Sequence, residues 1–172
     1  SIESANVRIE ECEVLSGMHG VEIGDIGVGT KAILLNNHIH KCAGSGVYVH
    51  GSACAIMVNC ACDENNRNGV CVSGDEAFLK GYMNSFKFNE HFGVRCDEGG
   101  SCHLKTSTFQ ENKLGEEHQA QPVNAPWVPN GLTNTCRNFI ETSTKVGFFF
   151  EKIAIIITFS GQAVVIDELP AF

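Results

Sequence analysis

At 172 residues, with 20 Asp and Glu against 12 Lys and Arg, the chain is about one domain long and carries a formal charge of −8. That balance excludes general attraction to phosphate backbones or anionic lipid and so argues against nucleic acid as a partner. Eighteen glycines, only four prolines and 43% hydrophobic residues exclude a disordered or collagen-like chain and suit an all-β protein with many tight turns. Nine cysteines are an odd number, no apolar leader opens the chain and no Asn-x-Ser/Thr sequon occurs, so a reducing setting in the cytoplasm or nucleus is expected.

In chain order, ANVRIEECEV (5–14) reads as a strand, 15–19 as a bend, and GVEI (20–23) as a strand with Val21 and Ile23 inward and Glu22 outward. GDIGVGT (24–30) is a loop bulging from the repeat. AILLNNHIHKCAGSGVYV (32–49) is the clearest unit: a strand, a turn at Asn36-Asn37, Ile39 returning to the interior, and a glycine corner at 44–46 before the next strand. GVYV (46–49), GVCV (69–72) and GVRC (93–96) follow GVEI at intervals of 26, 23 and 24 residues, a period that means stacked coils.

Aligning the units on Gly-Val produces apolar columns: Val21, Val47, Val70, Val94; Ile23, Val49, Val72, Cys96; Val14, Ile39, Cys62, Phe86, Phe109; and Leu34, Met57, Leu79, Leu104. Like residues stacked at the strand spacing of about 4.8 Å fill a narrow core. Two further columns hold asparagine or small polar residues at the corners: Ser16, Cys42, Asn65, Asn89, Asn112, and Cys12, Asn37, Cys60, Asn84, Ser107. Asparagine tolerates a left-handed corner and its amide can bond the coil above, so these columns read as ladders rather than as ligand sites.

Asn-x-Ile-x-x-Cys/Asn followed by Gly-Val-x-Val resembles the right-handed parallel β-helix superfamily over about residues 5–117. The resemblance implies an all-β solenoid of about five coils. The texture is closest to the intracellular eukaryotic branch, the F-box-only and SHC SH2-domain-binding proteins, which implies protein recognition within a larger protein. The superfamily also includes polysaccharide lyases, epimerases and carbohydrate-binding modules.

After Gly115 the repeat stops, and 116–134, with three prolines and Trp127, reads as an exit loop. Residues 146–150, 153–159 and 162–166 then look like strands around a turn at Ser160-Gly161. The expected division is a β-helix over 1–117 and an exit loop with capping strands over 118–172, since an open coil end must be covered. Glu151 and Lys152 interrupt the apolar run 146–157, so no membrane span is expected.

Two candidate surfaces emerge. The outward column of the Gly-Val strands reads Glu22, Tyr48, Cys71, Arg95, with His50, Ser73 and Asp97 beside it, an aromatic and arginine-bearing face suited to docking a protein. Among the acids in turns, Asp75 and Glu76 look equivalent to Asp97 and Glu98, which with Arg95 would form an acidic groove for carbohydrate binding or lyase-like cleavage. No lyase or epimerase motif occurs, no nucleophile elbow or phosphate loop is present, and Cys71 is outward without an assigned base, open to thiol reagents. His38, His40, Cys42, Cys60, Cys62, Cys96, Cys102 and His103 invite a metal reading, but Cys62 and Cys96 fall in core columns and no Cys-x-x-Cys pair occurs, so no metal and no cofactor are assigned. The expected function is a non-enzymatic protein-binding scaffold, with a carbohydrate-binding or polysaccharide-cleaving module as the alternative.

Overall fold

A computed structural model describes residues 6–15, 17–24, 30–119, 156–159 and 162–165. Five coils follow one another. The first runs through β1 (Asn6–Glu10), β2 (Glu13–Leu15) and β3 (Val21–Ile23), and the second through β4 (Lys31–Leu35), β5 (His38–His40) and β6 (Val47–His50). The third runs through β7 (Cys54–Val58), β8 (Ala61–Asp63) and β9 (Val70–Ser73), and the fourth through β10 (Phe78–Tyr82), β11 (Ser85–Lys87) and β12 (Phe92–Asp97). The fifth has β13 (Ser101–Lys105), β14 (Thr108–Gln110) and β15 (Gly115–Gln119). Equivalent strands pair in parallel into three five-stranded sheets: a long sheet β1-β4-β7-β10-β13, a short sheet β2-β5-β8-β11-β14, and the Gly-Val sheet β3-β6-β9-β12-β15. This is the parallel β-helix implied by the repeats.

The core forms because side chains alternate across each strand and equal residues stack along the axis. Val47, Val70 and Val94 lie directly over one another and are completely buried, as are Ile39, Cys62 and Phe86 of the short sheet. Phe86 continues onto Phe109 with ring centroids 5.2 Å apart. One column differs from its expected form. Leu34 and Met57 stack on Gly81 and then Leu104, whereas Leu79 belongs with Ala32, Ala55 and Cys102. The exchange is steric: the larger Leu79 fills space beside two alanines, and Gly81 leaves room for Leu104, whose Cδ2 would meet a Cβ there at 2.5 Å.

The asparagine ladders run as expected, through more bonds than amide to amide alone. Asn65 N–H donates to Asn89 Oδ1 at 3.1 Å and Asn89 N–H to Asn112 Oδ1 at 3.1 Å. Each of these amides also reaches back into the preceding coil, Asn89 Nδ2 donating to Cys62 O at 2.9 Å and Asn112 Nδ2 to Phe86 O at 3.0 Å. In the second ladder Cys12 N–H donates to Asn37 Oδ1 and Cys60 N–H to Asn84 Oδ1, at 3.0 and 2.9 Å.

Left-handed backbone is not carried by the ladder residues themselves. It falls one residue earlier, at Glu11, Asn36, Asn59, Met83 and Thr106 in one set of corners and at Lys41, Glu64, Phe88 and Glu111 in the other. A single left-handed residue turns the chain between two sheets, and the next residue then points its amide inward. Thr106, exposed and with φ of 54°, is β-branched and pays most for this conformation. Thr106→Asn is therefore expected to stabilise the protein by about 1 kcal/mol, read as a higher urea midpoint at unchanged slope.

Gly115–Gln119 corrects the exit-loop reading of 116–119: β15 pairs with β12 and carries the Gly-Val sheet two residues past the expected boundary at 117. In a second compact unit, residues 137–172, β16 (Ile156–Phe159) and β17 (Gln162–Val165) pair antiparallel, where strands are expected. The expected strand at 146–150, Trp127, Ser16 and most of the cap lie outside the described residues. Among the described residues no helix is long and apolar enough to cross a membrane.

Candidate functional site

The outer face of the Gly-Val sheet is made by the residues that alternate with its buried valines. Register places Glu22, Tyr48, Cys71, Arg95 and His118 in one outward column, and His50, Ser73 and Asp97 in the next. Tyr48 stands at the centre, with the His19 ring tilted against it at 4.7 Å and the His50 ring stacked on it at 4.8 Å between ring centroids. His50 Nε2 pairs with Glu22 Oε1 at 3.2 Å.

Beside this column the corner loops rise as a wall. Leu114 N–H donates to His91 O, His91 N–H to Arg67 O and Arg67 N–H to Gly44 O, at 2.9, 2.9 and 3.0 Å, so Arg67 and His91 stack coil on coil. Between the wall and the sheet lies a groove of about 720 Å³. Tyr48, Cys71, Ser73, Arg95 and Asp97 of the expected face line it, while Glu22 and His50 stand outside. His19, Ser45, Arg67, Asn68 and His91 also line it and were not singled out from the sequence. Asparagine and glycine dominate the corner pattern, which hides the column Gly44, Arg67, His91 running through it; counting back two residues from each Gly-Val would have found it.

Of the acidic-groove residues, Asp97 and Glu98 line the groove, and Asp75 and Glu76 do not. Asp97 stacks on Ser73, and Asp75 lies against Gly99. The two acid pairs are thus two residues out of step along the stack, not equivalent.

Charge in the groove is unevenly matched. Arg95 Nε lies 2.6 Å from Asp97 Oδ2, a close ion pair whose N–H is not aligned for a hydrogen bond. Ser73 Oγ donates to Glu98 Oε2 at 2.8 Å. Exposed Arg67 has no carboxylate partner among the described residues. Burial, and then the charge of Asp97, pushes the Cys71 thiol up to about 11. Cys71 is accordingly protonated at neutral pH, a poor nucleophile despite facing outward. Burial also raises the Tyr48 phenol, against a hydrogen bond to Ser73 that lowers it, so Tyr48 is a neutral donor in the groove.

The metal candidates separate by face. Cys42, Cys60, Cys62 and Cys96 are buried in the stack, while His38 and His40 leave the outer face of the short sheet.

No curated protein matches the chain, and no solved structure does. The family model described as the right-handed β-helix region matches residues 1–146. That span includes all three sheets and every residue of the groove, and on that match the chain belongs to the right-handed β-helix family.

Proposed function

We propose that this chain is a non-enzymatic recognition module that takes an extended, acidic segment of a partner protein into the groove on the Gly-Val sheet. Its setting would be a larger intracellular protein of the kind that the F-box-only and SHC SH2-domain-binding proteins represent. The observation that carries this reading is exposed Arg67, without a carboxylate partner among the described residues, beside Asp97 paired with Arg95 and Glu98 bonded by Ser73. Arg67 in the wall, above a floor bearing tyrosine and arginine, supplies an anchor for an acidic side chain. The carbohydrate-binding or lyase-like alternative asks for converging carboxylates beside Arg95. Asp97 meets that condition in part, but Asp75 and Glu76 stand elsewhere, and His50 already stacks on the Tyr48 ring that a sugar would use, with His19 tilted against it.

Arrays of acidic peptides and of oligouronates distinguish the two. Acidic peptides should bind, and Arg67→Glu should weaken that binding at least about tenfold, equivalent to roughly 1.4 kcal/mol. Binding confined to oligouronates, or release of unsaturated sugar ends from a polyuronate, would overturn the reading.

A further inference from the structure

The outer face of the short sheet gathers four groups that the groove does not use. His38 and His40 flank buried Ile39 on β5, so both rings leave the same face, and they stack 4.2 Å apart with 14° between their planes. One coil earlier, Glu13 brings Oε1 to 3.0 Å from His40 Nε2. One coil later, Asp63 brings Oδ2 to 3.6 Å from His38 Nε2, and its Oδ1 is held by the Lys87 N–H at 3.1 Å. One donor atom from each of Glu13, His38 and His40 lies within 4.8 Å of the other two.

Two imidazole nitrogens and a carboxylate oxygen suit a borderline ion of the zinc class, whereas magnesium and calcium call for oxygen donors throughout. Tetrahedral bonds of about 2.0–2.2 Å place donors roughly 3.4 Å apart, so the donors need a small contraction. The sheet can supply it without moving its backbone. The Glu13 and His38 side chains are 65% and 50% exposed and free to turn, while His40 is 12% exposed and held. Glu13 brings negative charge to the site, while Asp63 already stacks on Lys87 one coil later.

We propose that Glu13, His38 and His40 bind one zinc-class divalent ion on the outer face of the short sheet. This departs from the metal-free expectation, which put Cys62 and Cys96 in the core and gave outward His38 and His40 polar neighbours on a solvated face. Cys42, Cys60, Cys62 and Cys96 do sit in the core, and the donors that converge are histidines and an acid.

The test uses the full chain, stripped with chelator and with exposed thiols alkylated so that Cys12 cannot compete. Equilibrium dialysis against zinc chloride should give one ion per chain, and cobalt chloride should give the visible absorption of a low-symmetry site. His40→Gln and Glu13→Gln should each weaken zinc binding at least about tenfold, while His103→Gln leaves it unchanged. Circular dichroism establishes that each variant is folded. A folded parent without stoichiometric zinc, or zinc binding that survives both His40→Gln and Glu13→Gln, would reduce the cluster to one hydrogen-bonded pair and one looser contact at 3.6 Å and overturn the proposal.

Discussion

Asn89→Ala is expected to lower stability by about 3–5 kcal/mol, a large share of the roughly 5–15 kcal/mol that holds a domain together. Asn89 is fully buried and serves three neighbours at once. Its Oδ1 accepts from Asn65 N at 3.1 Å and from Asn65 Nδ2 at 3.0 Å, and its Nδ2 donates to Cys62 O at 2.9 Å and to Asn112 Oδ1 at 2.8 Å. Alanine would strand the Asn65 N–H and the Cys62 carbonyl inside the stack, each costing about 1–3 kcal/mol without a partner. Asn66, one residue from Asn65 but exposed, is the control, and Asn66→Ala should stay within about 0.5 kcal/mol. Urea unfolding of the two variants decides the matter. Equal midpoints would mean that the ladder contributes nothing beyond ordinary turn polarity.

What the sequence could show follows from which features are written in side chains and which in backbone. The valine columns were legible because alternation fixes the face and Gly-Val fixes the phase, so Val47, Val70 and Val94 could be aligned without coordinates. Leu79 and Gly81 both face the core two residues apart, so alternation alone does not say which of them continues the Met57 column, and the register makes it Gly81. The left-handed corners left no trace in composition: Glu11, Met83, Phe88 and Thr106 share only their place before a ladder residue. β15 was missed for a related reason. GEEHQ has no apolar alternation, and Glu117 stands where Val94 stands one coil earlier. Burial raises the Glu117 carboxyl as a result. The outward column of the groove floor was readable from the strands, but its wall of Arg67 and His91 lies in corners where each side chain looks like a variable loop residue.

Gly69→Ala is expected to cost about 3 kcal/mol or more, at or above the usual range for overpacking. The reason is proximity, since the constraint concerns space above the residue. A Cβ on Gly69 would lie 2.6 Å from Gly93 O, 3.0 Å from Phe86 Cδ1 and 3.1 Å from Asn89 Nδ2. The nearest of these is backbone of the next coil and cannot rotate away. The same crowding recurs along the column: a Cβ on Gly20 would meet Gly46 O at 2.7 Å, and one on Gly46 would meet Gly69 O at 2.8 Å. Adjacent coils could accommodate a methyl group only by parting, against the strand spacing of about 4.8 Å that the parallel hydrogen bonds impose on all three sheets. Parting would also stretch the Asn65–Asn89 bonds, so the substitution acts on the ladder as well as on the core. Gly81→Ala provides the comparison, because the contacts within 3 Å of its Cβ, Leu104 Cδ2 at 2.5 Å and Asn84 Nδ2 at 2.8 Å, are side chains rather than backbone. That variant should lose less than half as much. If thermal and urea unfolding give the two variants equal losses, the close approach of backbone to backbone at the glycine column is not what sets the spacing of the coils.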